Sequence, residues 1–329
     1  MVNKFLIKNS TNLTSSTLGT KIHFFSDQFF GAASRMLSDS EPVFKEGIFD
    51  TNGKWMDGWE TRRKRIPGHD YVIIELGKSS KIDEILIDTS FFNGNQPEFA
   101  SIDGCYTNKR SLKQATWINI LKKKKLQPNK KHYFKSNSNK TFKFVRLNIF
   151  PDGGVARLRL FGNIDLSKEK FLKKKFDLAS VLNGTKIIAC SDEHFGKAEN
   201  ILSPGKSKNM GNGWETKRRR GKGNDWVILK LGTKGLISHF EINTHYFKGN
   251  YPSHFSIQVS SFSNISSIKK IVQKSHKWKT ILKNIKLKPN NTFTIKPKIQ
   301  SNDYTSMIRL NIYPDGGISR FRVFGKVKK

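Results

Sequence analysis

The sequence predicts an all-β protein made of two tandem, homologous β-sandwich domains of the jelly-roll kind. A chain of 329 residues is long enough for about two domains, and blocks of its first half return in the same order in its second half. Runs such as YVIIELG (71–77) are short, rich in β-branched and aromatic residues, and bounded by Gly, Asp or Asn. Several such strands with long connections between them are typical of a sandwich.

The repeated blocks define the domain organisation. DGWETRRKR at 57–65 returns as NGWETKRRR at 212–220, and VRLNIFPDGGVARLRLFG at 145–162 returns as IRLNIYPDGGISRFRVFG at 308–325. The offset between the copies grows from 155 to 163, which predicts eight extra residues in the second copy, in a loop around 260–277. The predicted organisation is an N-terminal tail (1–20), a first repeat (21–163), a linker (164–183) and a second repeat (184–329).

The composition indicates a globular protein of a reducing compartment. Apolar residues make up 36% of the chain and include 25 Phe, enough for a buried core. No stretch approaches the roughly 18 apolar residues of a membrane-spanning helix, and residues 1–16 are too weakly apolar for a secretory signal. Cys105 and Cys190 lie far apart and outside paired motifs, so neither a disulfide framework nor a zinc site is predicted. We therefore expect a cytoplasmic protein without a membrane partner.

The chain is strongly basic. Lys and Arg number 60 against 26 Asp and Glu, a formal net charge of +34, so the protein will attract polyanions whatever its function. The excess is mostly lysine, in runs at 121–126, 170–175 and 267–279 that lie outside the repeated motifs and are expected on loops. No motif of a nucleic-acid-binding module accompanies the charge, so nucleic acid is not a predicted partner.

The stretch DGWETRRKR carries dense opposite charges around a tryptophan. Strand alternation would put Trp59 and Arg63 on one face and Glu60 and Arg62 on the other. A solvated charge run on an edge strand or a loop is the ordinary interpretation of such a stretch. The second copy nevertheless keeps Gly-Trp-Glu-Thr and the basic positions while much of the surrounding sequence differs. This repetition makes the stretch a candidate functional segment.

The block RLNIFPDGGVARLRLFG predicts a strand, a tight Pro-Asp-Gly-Gly turn and a second strand. If those four residues form the loop, Phe150 pairs with Val155 and the alternate apolar residues of both strands face the core. On the other face, Arg146 would lie opposite Arg159, and Asn148 would lie opposite Arg157. The second copy gives the same register.

Two arginines directly opposite each other destabilise a sheet by a few tenths to about 1 kcal/mol, so this register calls for an anion between them. One alternative is an internal carboxylate, such as Glu60 or Asp70, in a structural network. The other is a ligand carboxylate or phosphate held by bidentate hydrogen bonds. The residues alone leave both alternatives open.

Taken together, these blocks resemble the allantoicase family. GKWMDGWETRRKR, GHDYVIIELG, IDTSFFNGNQP, SIDGC and VRLNIFPDGGVARLRLFG stand in the family's order, as do their second-copy counterparts, and the resemblance covers about residues 22–326. It implies galactose-binding-like jelly-roll domains, a homo-oligomer, and a hydrolase acting on non-peptide C–N bonds of linear amidines. Its substrate would be allantoate, cleaved to ureidoglycolate and urea in the purine (urate and allantoin) degradation pathway.

The chemistry of allantoate selects the candidate residues. Its carboxylate calls for an arginine clamp, and its ureido groups call for amide and carboxylate partners. Cleavage at the central carbon needs an acid for the departing urea and a base for water. The candidate catalytic residues are Glu60, Asp70, Asp88, Glu215 and His245. The candidate substrate-binding residues are Trp59, Arg62, Arg63, Asn95, Arg146, Asn148, Arg157, Arg159, Arg309, Arg320 and Arg322.

The two copies differ at some of these positions. Asp88 becomes Asn243, which favours an active first copy or a site between the copies. Conversely, His245 replaces Ser90 and is the candidate if the second copy is active. No cofactor is predicted. Whether the protein uses a divalent metal ion stays open. Candidate ligands are present in the sequence, but none has His-x-x-x-His or similar spacing.

A non-catalytic protein of the same fold is the alternative function. Jelly-roll domains of this kind often bind ligands at their loops, and a fold does not settle a function. Such a protein would bind a small carboxylate or a sugar. A polyanion-binding accessory protein is a third hypothesis, and it predicts an affinity that collapses as salt is added.

Overall fold

One 19-residue strand runs through each half of the structure. The computed structural model describes residues 11–107, 111–166, 176–262, 267–297 and 304–327. The chain divides into a first unit, 1–169, and a second unit, 170–329. In each unit the strands pair antiparallel to form the sheets. The predicted all-β chain of two tandem sandwich domains is therefore confirmed.

The strands of the first unit follow the predicted β-rich runs. In chain order they are β1 (Thr11–Asn12), β2 (Lys21–Phe25), β3 (Phe49–Asp50), β4 (Gly53–Lys54), β5 (Trp59–Glu60), β6 (Asp70–Asp88), β7 (Phe99–Cys105), β8 (Ile118–Lys125), β9 (Lys131–Lys135), β10 (Thr141–Phe150), β11 (Gly154–Val155) and β12 (Arg157–Ile164). Short 3-10 helices span Ser16–Leu18 and Ala33–Leu37.

Eight described strands of the first unit form one continuous hydrogen-bonded sheet, and β6 links its two layers, each called a sheet below. Its residues 72–75 pair with β2 on one side and with β10 on the other. Its residues 84–88 pair instead with β9 and β12. Beyond β10 the first sheet continues with β7 and β8, while β1 borders β12 in the second.

The apolar face predicted for β10 and β12 does line the core. Alternate residues of β6, β10 and β12 are buried in one cluster, because successive side chains of a strand point to opposite faces. Its members from these strands are Val72, Ile74, Leu76, Ile82, Ile85, Ile87, Phe142, Val145, Leu147, Ile149, Leu158 and Leu160. Full burial of each such side chain contributes about 1.5–3 kcal/mol relative to exposure.

The predicted hairpin register is wrong. Among the described strands, β10 and β12 do not pair with each other, and Gly154–Val155 (β11) pairs with Trp59–Glu60 (β5). The Pro-Asp-Gly-Gly segment carries the chain from one sheet to the other, so it is a crossing and not a hairpin loop. Phe150 consequently lies opposite Phe99 of β7.

The opposed arginines that this register required do not occur. Arg146 lies opposite Asp103 of β7, and Arg159 lies opposite Leu86 of β6. In the second unit Arg309 lies opposite Gln258. The sheet therefore needs no anion between paired arginines.

The second unit repeats the first. Its strands are β13 (Phe176–Asp177), β14 (Lys186–Cys190), β15 (Trp214–Glu215), β16 (Asp225–Asn243), β17 (His254–Ser260), β18 (Lys279–Lys286), β19 (Thr292–Ile295), β20 (Thr305–Tyr313), β21 (Gly317–Ile318) and β22 (Arg320–Val327). Short 3-10 helices span Val181–Asn183, Ala198–Leu202 and Met210–Asn212. Strand β16 takes the place of β6, pairing with β14 and β20 and then with β19 and β22.

The loop predicted to hold the extra residues contains the helix α1 (Ile268–Ser275). Ile271 and Val272 of this helix pack against a buried cluster on the sheet.

The lysine run 121–126 was expected on a loop, but most of it lies in strand β8. This strand is at the edge of the sheet, where exposed lysines discourage pairing with another chain. The run 170–175 lies outside the described residues. Among the residues that the structure describes, no helix is long and apolar enough to span a membrane.

The folded region begins earlier in each unit than predicted. Leu13, assigned to the N-terminal tail, is buried in the first core, and Thr11–Asn12 pairs with β12. Leu178, assigned to the linker, is buried in the second core. Residues 167–175 of that linker lie outside the described residues.

Candidate active site

A cleft of about 580 Å³ opens in the first unit where three segments meet. The DGWETRRKR stretch contributes Glu60, Arg63 and Arg65 to its lining. The loop after β6 contributes Asn95, and the crossing between the sheets contributes Asp152. Blocks that are distant in the sequence thus converge on one concave surface, the usual form of a small-molecule site.

Buried anchors on either side of Glu60 direct it into the cleft. Trp59 is fully buried, and its Nε1 donates to the carbonyl of Asp27 at 2.8 Å. Thr61 exchanges hydrogen bonds with Gly153, accepting the Gly153 amide on its hydroxyl at 3.1 Å. The structure therefore places Trp59, a predicted substrate-binding residue, in the core.

Gly153 allows the loop after β6 to reach Glu60. Its φ is +129°, and a Cβ there would lie 2.7 Å from the Pro97 nitrogen and 2.8 Å from the Asn95 carbonyl oxygen. The next amide, of Gly154, donates to the Asn95 carbonyl at 2.7 Å. Only glycine fits so close a backbone contact, and this contact fixes the position of Asn95.

The central contact of the cleft joins Asn95 and Glu60. The Asn95 amide Nδ2 donates to Oε1 of Glu60 at 2.7 Å. Burial raises the pKa of the Glu60 carboxyl, and the hydrogen bond from Asn95 opposes part of that increase. Glu60 thus keeps its proton to a higher pH than an exposed glutamate and suits acid–base catalysis.

Positive charge surrounds this glutamate. Arg63 and Arg65 are exposed, and neither forms an ion pair within the described part of the chain. Lys64 is held differently: its Nζ lies 2.7 Å from Oδ1 of the buried Asp70. Asp70, a predicted catalytic residue, therefore lies behind Lys64 and does not line the cleft.

The second unit builds the same cleft, with a volume of about 710 Å³. Asn250 donates to Glu215 as Asn95 does to Glu60. The Gly316 amide donates to the Thr216 hydroxyl at 3.1 Å, and Gly316 has φ of +130°. Arg219 replaces Lys64 and pairs with Asp225, the counterpart of Asp70.

The arginines of the last block lie outside both clefts. Arg157 is fully buried, and its guanidinium donates to the carbonyls of Ser40, Glu41 and Asp57 and to the Asp57 carboxylate. Arg159 donates to the carbonyls of Ser38 and Ser40. Each of these guanidinium groups holds a loop in place.

Arg320 and Arg322 do the same in the second unit. Arg320 donates to the carbonyls of Asn200, Gly205, Lys206 and Asn212. Arg322 donates to carbonyls of the same loop.

Arg146 and Asn148 lie on the face of β10 opposite its core face. There Asp103 accepts from Arg146 at 3.1 Å and from the Asn148 amide at 3.0 Å. In the second unit Arg309 donates to Asn311 and Ser275 and lies 4.6 Å from the Trp226 ring centre. Neither group lines a cleft described above.

The remaining candidates are also apart from the clefts. Asp88 is buried and accepts the amide and hydroxyl of Ser90. Arg62 forms an exposed ion pair with Asp27 at 3.0 Å. His245 lies near Thr292, with 3.4 Å between Nε2 and Oγ1.

Of the predicted site residues, the structure brings together Glu60, Arg63 and Asn95 in one cleft and places Glu215 in the other. Sequence reasoning missed several lining residues. The repeated Asp-Gly-Gly and Gly-Asn-x-Pro patterns carried a signal for some of them. They are Lys64, Arg65, Gln96 and Asp152 in the first cleft, and Arg218, Arg219, Asn250, Tyr251 and Asp315 in the second.

Neither cysteine is activated for nucleophilic attack. Burial raises the pKa of Cys105 and of Cys190 to about 11, so both stay protonated near neutral pH, and the thiol is the poorly nucleophilic form. Within the described ranges no group of three or more His, Cys, Asp and Glu side chains is placed to bind a metal ion.

Comparison with known proteins identifies relatives over nearly the whole chain. A family model described as the allantoicase repeat matches residues 11–165 and again residues 176–328. A "probable allantoicase" of Acinetobacter baumannii (strain SDF) is 44% identical over 324 residues, covering 98% of this chain and 96% of the relative. One of Pseudomonas fluorescens (strain SBW25) is 45% identical over 321 residues, covering 97% and 96%.

A solved structure shares the fold. The crystal structure of allantoicase from Saccharomyces cerevisiae matches with a TM-score of 0.78 and 30% sequence identity. The match covers 98% of this chain and 95% of the yeast chain.

Proposed function

Because this chain belongs to the allantoicase family, we propose that it hydrolyses allantoate to ureidoglycolate and urea in purine degradation. The observation that carries the proposal is the half-buried Glu60, held by Asn95 and flanked by arginines without ion-pair partners. An acid of raised pKa in a cleft lined by arginines that are unpaired among the described residues suits a small anion that must lose a ureido group as urea.

Arg63 binds the carboxylate of allantoate in this proposal. Arg63 lines the cleft, and the planar fork of donors of a guanidinium suits a carboxylate better than a point charge does. Arg218 takes the equivalent place in the second cleft. The Asn95 side chain, with its oxygen free of the bond to Glu60, positions a ureido group beside the acid.

Glu60 moves the protons of the reaction. It donates its proton to the ureido nitrogen that leaves as urea, while the bond from that nitrogen to the central carbon breaks. The lone pair of the remaining ureido nitrogen stabilises the electron-poor carbon. Water then adds, forming the C–O bond of ureidoglycolate, and returns one proton to the Glu60 carboxylate. Acid–base catalysis of this kind contributes about 10²–10⁴-fold to a rate.

The test is release of urea and ureidoglycolate from allantoate by the purified protein. The Glu60→Gln/Glu215→Gln double variant keeps the shape of both clefts and removes both acids, so we expect urea release to fall by about 10²-fold or more. Glu46→Gln is the matched control, because Glu46 is exposed and outside the clefts.

Two outcomes would contradict the proposal. A double variant as fast as the wild-type protein would remove both glutamates from the reaction. Allantoate that binds to the wild-type protein without turnover would support the alternative, a non-catalytic protein that binds a small carboxylate.

A further inference from the structure

We propose that the cleft of the second unit is a second site for the same class of ligand, a small carboxylate that carries ureido groups. One chain would then hold two working clefts, one in each unit. The inference rests on the proposed function for the chemistry of the ligand, and on the geometry of the second cleft for the existence of the site.

The two clefts agree contact by contact. In each, the glutamate accepts from an asparagine of the loop after the 19-residue strand. The buried tryptophan before that glutamate donates to an aspartate carbonyl, at 2.8 Å in the first unit and 2.7 Å in the second. The aspartate of the crossing segment accepts a backbone amide, from Lys64 at 2.7 Å and from Arg219 at 2.8 Å.

Not every polar contact of the first unit recurs in the second, so the retained contacts of the clefts are informative. On the outer face of the sheet, Asp103 accepts from Arg146, but the residue opposite Arg309 is Gln258. The buried Asp88 has become Asn243. The Glu–Asn pair has stayed the same, with an exposed arginine lining each cleft, Arg63 or Arg218.

The second cleft also has the charge that an anion requires. Arg218 is exposed and lines the cleft, and no described residue forms an ion pair with it. Arg219 is neutralised by Asp225, as Lys64 is by Asp70. Each cleft is therefore lined by its glutamate and by at least one arginine without an ion-pair partner among the described residues.

The differences between the clefts predict two affinities. Tyr251 stands where the first cleft has Gln96, and Arg219 stands where it has Lys64. The tyrosine brings an aromatic ring to the lining in place of an amide. We therefore expect the same class of ligand in both clefts with different KM values.

The experiment counts sites and assigns turnover to each. Allantoate is titrated calorimetrically into the full-length Glu60→Gln/Glu215→Gln variant, in which turnover is blocked. We expect two molecules bound per chain, one per cleft, and one fewer when Arg218→Ala is added. Urea release is measured for Glu60→Gln and Glu215→Gln separately, and we expect each single variant to keep a measurable part of the wild-type rate.

One result overturns the inference and leaves the proposed function intact: Glu60→Gln alone is as slow as the double variant, and one molecule binds per chain. A wild-type rate in the double variant would instead count against the proposed chemistry. When turnover is blocked as expected, a number of bound molecules that Arg218→Ala does not change would exclude the second site.

Discussion

Asn95 Nδ2 lies 2.7 Å from Glu60 Oε1, and this hydrogen bond joins two segments that are 35 residues apart in the chain. The amide donates, so the bond favours the ionised carboxylate, whereas burial favours the protonated form. The pKa of Glu60 is set by these opposing effects. Asn250 and Glu215 form the same pair in the second unit.

Replacement of Asn95 by Leu removes the effect that lowers the pKa of Glu60, so this pKa rises further. If Glu60 acts as the acid, kcat/KM falls as pH rises through its pKa, and we expect that limb of the profile to move to higher pH. The experiment is a pH–rate profile in the Glu215→Gln background, where the first cleft alone reports. Gln96→Leu is the matched control, because Gln96 lines the cleft without bonding Glu60. A limb that moves equally in both variants would argue against this role of Asn95.

The same substitution changes how stability depends on pH. A carboxyl group whose pKa is higher in the folded than in the unfolded state contributes stability below the unfolded pKa, and this is lost as pH rises through the folded pKa. Asn95→Leu should therefore lose more stability at neutral than at acidic pH. Guanidinium chloride unfolding at two pH values measures the difference, and equal losses would contradict the prediction.

Asp70→Asn leaves Lys64 without its carboxylate. Asp70 is 3% exposed and accepts from Lys64 and Ser26, so the variant loses a charged partner inside the protein. We expect the free energy of unfolding to fall by about 1–3 kcal/mol. Lys21→Gln is the control, since Lys21 is 68% exposed and its loss leaves Glu75 paired with Lys143. Such surface pairs contribute about 0–1 kcal/mol. Equal losses in the two variants would show that Asp70 and Lys64 do not form a stabilising pair.

Gly153→Ala forces apart the segments that form the cleft. A Cβ at Gly153 meets backbone atoms at 2.7–2.8 Å, whereas a Cβ at Gly94 meets no atom within 4 Å, and both have positive φ. Gly94→Ala thus measures the strain of the backbone conformation alone, about 1–3 kcal/mol. We expect Gly153→Ala to lose more stability than this and to lower kcat/KM as well. Equal behaviour of the two variants would mean that the close contact is not needed.

Arg157→Met tests whether this arginine holds a loop or binds substrate. Removing one partner from a buried ion pair costs about 3–5 kcal/mol, and the Arg157 side chain is 2% exposed with Asp57 at 2.6 Å. We expect a large loss of stability with KM unchanged in the folded fraction. Arg62→Met, 64% exposed, is the control for stability. A raised KM without loss of stability would return Arg157 to the substrate site.

The architecture and three residues of the first cleft were predictable from the sequence because their signals are local. Strand runs, turn residues and a repeated motif are local signals, and Glu60, Arg63 and Asn95 sit within such motifs. The motif with Glu60 also had a second copy, which identified Glu215 in the same way.

Contacts between distant segments explain what the sequence did not predict. The Pro-Asp-Gly-Gly segment suits a tight turn, but local chemistry does not say whether the next strand pairs with the previous one or crosses to the other sheet. Arg157 has the charge of a ligand-binding residue, yet its donors are taken by carbonyls 116 and 117 positions earlier in the chain. Its role depends on a loop whose position the local pattern does not encode.

The 19-residue strand β6 has a consequence for how the first unit opens. Because residues 72–75 serve one sheet and residues 84–88 serve the other, the loss of β6 removes a hydrogen-bonding partner from both sheets at once. If the strands of either sheet separate from β6, the core shared by the two sheets is exposed to solvent. The sandwich therefore opens as one cooperative unit. Amide hydrogens of residues 72–75 and 84–88 should then exchange with solvent at a common slow rate, since they become accessible only through the same global event.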